Sequence, residues 1–81
     1  MPGMNKTIPQ TPEELREVLA GLIGVEPADI RDDSVLFELG LDSVTALMLI
    51  NSWRRAGLSS PSQEFIDAPT VGHWWNLIAT S

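Results

Sequence analysis

Cysteine is absent from the 81 residues, which excludes a disulfide framework, a thiol nucleophile and a thiolate metal site. One histidine, His73, is too little for a histidine-rich metal centre. Basic residues are scarce, five against eleven acids, for a net charge of −6. Phosphate binding needs a basic footprint, so nucleic acid is not an expected partner. No apolar run approaches the roughly 20 residues of a membrane span. The opening "MPGMNKTIPQ" has one lysine and no apolar signal-peptide core, so a soluble, cytoplasmic protein is expected and no membrane partner. In that setting the sequon at Asn5, Lys6 and Thr7 carries no consequence. What the chain does have is a hydrophobic share of 43%, ordinary for one small folded domain.

Residues 1–10, with two prolines and a glycine, read as a flexible lead-in, 11–79 as the domain and 80–81 as a tail. "TPEELREVLAGLIG" opens with helix-start chemistry: Thr11 as cap, Pro12 in the first position and Glu14 at the capping-box position. Leu15, Val18, Leu19, Leu22 and Ile23 recur at helical spacing and predict one core-facing stripe, with Gly24 as the stop. "VEPADIRDDSVLFELGLD" has no long period and predicts an irregular connection. Ile30, Val35, Leu36, Phe37 and Leu39 would anchor it, with a short helical turn near Ser34 to Glu38. A second long helix is predicted from about Ser43 to Ala56, with Gly57 after it and Arg54 and Arg55 complementing its negative end. A short third helix would use Ser60 as cap, Pro61 as first residue and Gln63 to close a capping box, and would stop at Pro69. Thr70 would cap a last helix from Val71 to about Ile78. At least one of its paired tryptophans, Trp74 and Trp75, should be core. With no strand alternation, the expected fold is an all-α bundle of three main helices and one short helix.

Ser43 stands directly after Asp42 where the second long helix begins. At 100° per residue, Ala46, Leu49, Ile50, Trp53 and Ala56 form one stripe of that helix. Val44, Leu47 and Met48 lie on roughly the opposite side, and Asn51 and Arg55 continue their line. Such a helix is either buried centrally or shared with a partner. Catalysis by Ser43 is disfavoured: the lone histidine is thirty residues away and no Gly-x-Ser-x-Gly elbow exists. The acid pairs Glu13, Glu14 and Asp32, Asp33 read as a first-turn dipole complement and a solvated loop. Ser43 could cap the helix, as could Asp42, or its hydroxyl could take a group whose phosphodiester suits a helix N-terminus.

"LFELGLDSVTALMLINSWRRAG" resembles the 4′-phosphopantetheine attachment region of carrier proteins. The matching positions are Leu39, Gly40, Leu41, Asp42, Ser43 and Val44, with a leading capped helix and "DAPTV" at 67–71. The likeness spans about Thr11 to Ile78 and implies a carrier-protein-like four-helix bundle. It implies that Ser43 is the modified residue, that Asp42 is its motif neighbour, and that 4′-phosphopantetheine is a covalent cofactor. A separate phosphopantetheinyl transferase would transfer it from coenzyme A, with magnesium in that enzyme's site. "NSWRRAG" and "PTVGHWWNLI" are more similar to aryl and peptidyl carriers of siderophore-type nonribosomal peptide assembly lines. Fatty-acid carriers usually place acids along the helix after the serine, and none occurs between Ser43 and Ala56. The resemblance therefore implies a free-standing, monomeric carrier that is not an enzyme. An adenylating enzyme would load its thiol with an aryl or aminoacyl group, for delivery to a condensation enzyme. A polyketide acyl carrier, or an unmodified helical interaction module, is the alternative. The expected partner surface is Val44, Leu47, Met48 and Asn51, completed, as aryl carriers imply, by Ser62, Phe65 and Ile66.

Overall fold

A computed structural model describes residues 8–80. Four α-helices follow one another: α1 (Pro12–Ile23), α2 (Ser43–Arg55), α3 (Ser62–Asp67) and α4 (Val71–Thr80), with no strand among the described residues. The expected all-α bundle with one short helix is what forms. α4 runs two residues past the expected Ile78. Residues 1–7 of the lead-in and Ser81 of the tail lie outside the described part. Of the lead-in's described end, Pro9 is buried and Ile8 packs on the core.

α1 begins as its sequence requires. Thr11 Oγ1 accepts the Glu14 N–H at 3.1 Å, while the Glu14 carboxylate reaches past the cap to accept the Gln10 N–H at 2.8 Å. The helix ends at Gly24, whose φ of 92° is left-handed and whose N–H bonds Ala20 O. Its stripe is narrower than the periodicity suggests. Leu15 and Leu19 are fully buried and Ile23 is half-buried, but Val18 and Leu22 face solvent at 36% and 46% exposure. Spacing groups them on one side of α1, but among the described residues no neighbouring element covers either of the two.

The connection from α1 to α2 is tied down throughout. It holds two 3-10 turns, at Pro27–Asp29 and Leu36–Leu39, the second close to the expected turn. Leu36 N–H donates to Pro69 O at 2.8 Å, Gly72 N–H donates to Asp32 O at 2.9 Å, and Arg16 pairs with Asp32. Ile30, Leu36 and Leu41 are buried, each burial stabilising by about 1.5–3 kcal/mol. Val35 is the anchor that fails, at 37% exposure.

Three aromatic rings close the core where α2, α3 and α4 meet. Phe65 and Trp74 sit edge to face with centroids 5.4 Å apart, and Trp53 lies 6.0 Å from Phe65 and 6.2 Å from Trp74. Such pairs add roughly 0.5–1.5 kcal/mol each beyond the area they bury. The buried Trp74 indole N–H donates to Phe65 O at 2.8 Å, which anchors a helix too short to hold itself. Trp75 beside it is only half-buried.

The start of α3 differs from its expected form. Pro61 is the cap position and makes no side-chain cap bond; Ser60 Oγ instead donates to Leu77 O at 3.4 Å, and Gln63 bonds Asp67. The capping box is displaced because Ser60 is used to join α4. At the other end of the chain the local rule holds, with Thr70 Oγ1 accepting the His73 N–H at 3.2 Å.

Gly21 sits inside α1 with nothing within 4 Å of where a Cβ would be. Alanine there is expected to stabilise the domain by about 0.5–1 kcal/mol through helix propensity and a less flexible unfolded chain. A denaturation midpoint that shifts down in Gly21→Ala would contradict this.

Candidate functional site

The start of α2 is positioned by the turn before it. Leu36–Leu39 ends at Gly40, whose φ of 114° a residue with a side chain would adopt only under strain. Leu41 N–H then returns to Leu36 O at 3.1 Å and its side chain is buried, so the next residue leaves the core at a fixed point. That residue is Asp42, in extended conformation. Its Oδ2 accepts the Thr45 N–H at 3.2 Å and its backbone carbonyl accepts the Ala46 N–H at 2.9 Å. Asp42 is therefore the helix cap.

The cap assignment decides what Ser43 is free to do. As the first residue of α2 it is exposed, and its Oγ makes no hydrogen bond with another described residue. The opening N–H groups of a helix lack intrahelical partners and the dipole there is positive, so an anion on this hydroxyl is favoured. An exposed, unbonded hydroxyl at a helix start fits a phosphodiester-linked group.

Beyond Ser43, α2 divides as its periodicity suggests. Ala46, Ile50 and Trp53 are buried; Leu49 is half-buried and Ala56, just past the last turn, is exposed. On the other side Val44 is 63% exposed, Met48 67% and Leu47 38%. Asn51 is exposed on the same side, and its Oδ1 accepts the Ser62 hydroxyl at 3.4 Å, joining α3 to this face. Ser62 and Ile66 are half-buried.

Phe65 is a correction. It was expected on the partner surface and is instead fully buried between Trp53 and Trp74. A lone aromatic in a six-residue helix is the residue that attaches the helix to the core. The Asn51 to Ser62 link joins two helices and leaves no local pattern in the sequence.

His73 is half-buried on α4, its Nε2 3.2 Å from Glu64 O. Among the described residues no group of three His, Cys, Asp or Glu side chains could hold a metal ion. No helix among them is long and apolar enough to cross a membrane.

Fold and site together define a class: a small all-α domain that presents one serine hydroxyl at a helix start, beside an exposed apolar strip. A family model described as "Phosphopantetheine attachment site" matches residues 13–78. The chain belongs to that family, whose prosthetic group is covalent 4′-phosphopantetheine. It is 37% identical over 70 residues to an isochorismatase of Bacillus subtilis (strain 168), covering 86% of this chain and 22% of that protein. It is 33% identical over 70 residues to phenyloxazoline synthase MbtB of Mycolicibacterium paratuberculosis, covering 86% of this chain and 6% of the synthase. It is also 37% identical over 62 residues to the nonribosomal peptide synthetase dtpA of Aspergillus flavus, covering 76% and 2%. The chain thus spans about a fifth or less of the length of these relatives. No solved structure gives a significant match.

Proposed function

We propose that Ser43 bears the 4′-phosphopantetheine, and that the domain holds an aryl or aminoacyl group as a thioester during nonribosomal peptide synthesis. The observation that carries this reading is the division of labour at the start of α2: Asp42 caps the helix, leaving the exposed Ser43 hydroxyl unengaged. The names of two relatives, a phenyloxazoline synthase and a nonribosomal peptide synthetase, support the pathway class.

In the attachment step Ser43 Oγ bonds to the phosphorus that carries the pantetheine arm of coenzyme A. The pyrophosphate P–O bond breaks, adenosine bisphosphate leaves, and the hydroxyl proton passes to a base of the transferase. When bound, the arm supplies a thiol that takes an acyl group, chemistry a cysteine-free chain cannot offer. The chain's own part is positional. Gly40, Leu41 and Asp42 hold Ser43 at one point on a rigid helix, and Val44, Leu47 and Met48 give visiting enzymes an apolar strip beside it. The domain is read as the substrate of a phosphopantetheinyl transferase, an adenylating enzyme and a condensation enzyme, not as an enzyme itself.

Incubation with coenzyme A and a broad-specificity transferase is expected to add one phosphopantetheinyl group by intact mass, located on Ser43 by fragmentation. A panel of aryl-acid and amino-acid adenylating enzymes should then load the thiol. An unchanged mass would leave the chain as an unmodified helical interaction module.

A further inference from the structure

The chain has no cysteine and three methionines, and Met48 is the one sulfur-bearing residue among the described residues. It is 67% exposed, slightly more than Val44 one turn before it at 63%. Its neighbours at three and four positions along α2 are Val44, Thr45, Asn51 and Ser52. None of them has a ring or a long side chain that would cover the thioether. The oxidisable rings are better protected: Trp53 and Trp74 are fully buried and Trp75 is half-buried. Met48 is therefore the group that an oxidant in water reaches first among residues 8–80. Its place on the helix gives that exposure a consequence. Val44, Met48 and Asn51 share one side of α2, so the sulfur stands in the middle of the face that begins beside Ser43. Asn51 Oδ1 accepts the Ser62 hydroxyl at 3.4 Å, so α3 borders the same spot. A thioether suits such a face because it is apolar and adapts its shape to what it meets. It is also the apolar group that oxidation makes strongly polar.

We propose that Met48 is a reversible modification site: its sulfoxide closes the α2 face to the enzymes that act at Ser43, and reduction reopens it. The proposal rests on the reading of Ser43 as the attachment site. The oxidant is a peroxide. A sulfur lone pair of Met48 attacks one peroxide oxygen and the O–O bond breaks. With hydrogen peroxide the leaving hydroxide takes the proton of the transferred OH and becomes water, and the sulfur is oxidised by two electrons. A methionine sulfoxide reductase with a dithiol returns the thioether, releasing water and a disulfide. The S–O group is polar and chiral, and burying it against an apolar surface without a hydrogen bond is unfavourable. In the free domain the exposed group stays hydrated. The penalty therefore falls on the complex with a visiting enzyme and leaves the fold untouched.

The test is steady-state phosphopantetheinylation by a broad-specificity transferase after the chain has been treated with hydrogen peroxide. The peroxide is removed by catalase and desalting before coenzyme A and the transferase are added. Treatment before attachment spares the arm's thiol, and the cysteine-free chain offers the peroxide no other. Unaltered protein and Met48→Leu are each compared with their own untreated sample, and fragmentation locates the added oxygen. The treated unaltered protein is expected to carry oxygen on Met48, to keep its melting temperature and to show a carrier KM raised about tenfold. Sulfoxide reductases of both epimer specificities, with dithiothreitol, should return KM to the untreated value. Met48→Leu retains Met1 and Met4, and peroxide should leave its KM where it was. Oxygen on Met48 with an unchanged KM would overturn the proposal, as would a Met48 that stays reduced while Met1 and Met4 oxidise. An equal rise in treated Met48→Leu would overturn it by placing the effect elsewhere. A fall in melting temperature would do so by making the effect a loss of fold. If the untreated, unaltered protein gains no phosphopantetheinyl group, the assignment of Ser43 falls, and this proposal with it.

Discussion

Ser43→Ala is expected to abolish phosphopantetheinylation completely while the domain melts close to the temperature of the unaltered protein. The hydroxyl is exposed and bonds no other described residue, so its loss removes no internal contact. The helix keeps its cap, because the Thr45 N–H is satisfied by Asp42. Asp42→Ala should behave in the opposite sense for stability and cost about 0.5–2 kcal/mol, the usual loss on deleting a cap. Circular dichroism and intact mass on both variants separate the roles. A Ser43→Ala protein that still gained the group would place the attachment elsewhere. A large loss of helicity in that variant would make the serine structural.

The second large effect concerns the two sides of α2. Trp53→Ala and Ile50→Ala each empty a site with almost no solvent exposure and should cost about 3–5 and 2–5 kcal/mol respectively. A small domain with a total stability of roughly 5–15 kcal/mol would then stand near its unfolding threshold. Met48→Ala and Leu47→Ala remove side chains that already face water, 67% and 38% exposed. They should lower the melting temperature little, yet slow loading or condensation strongly, since truncating a true hot spot costs roughly 2 kcal/mol or more of binding. Melting temperature and loading rate measured on all four variants decide the matter. Equal destabilisation on both sides would mean that α2 is held all round by its own domain. Phe65 belongs with the first pair: Phe65→Ala should unfold α3, because that ring and the Trp74 bond to its carbonyl hold the short helix.

What the chain determined by itself was chiefly local. The caps at Thr11 and Thr70, the left-handed stop at Gly24 and the run from Leu39 to Val44 are read within a few residues and formed in place. The two-sided character of α2 was also legible, since helical spacing dictates which residues share a side. Spacing does not dictate whether a neighbour covers that side. Helical spacing puts Val18 and Leu22 on one side with Leu15 and Leu19, but only the latter pair is covered. Phe65 could have faced partners until Trp53 and Trp74 closed over it. Ser60 gave up its expected cap for a carbonyl of α4, seventeen residues away. Asp42 and Ser43 were equal candidates as cap in sequence, and the extended backbone that follows the Gly40 turn and buried Leu41 gave the role to Asp42. Only the packed structure chose between them, because cover and backbone direction depend on contacts between residues far apart in the chain.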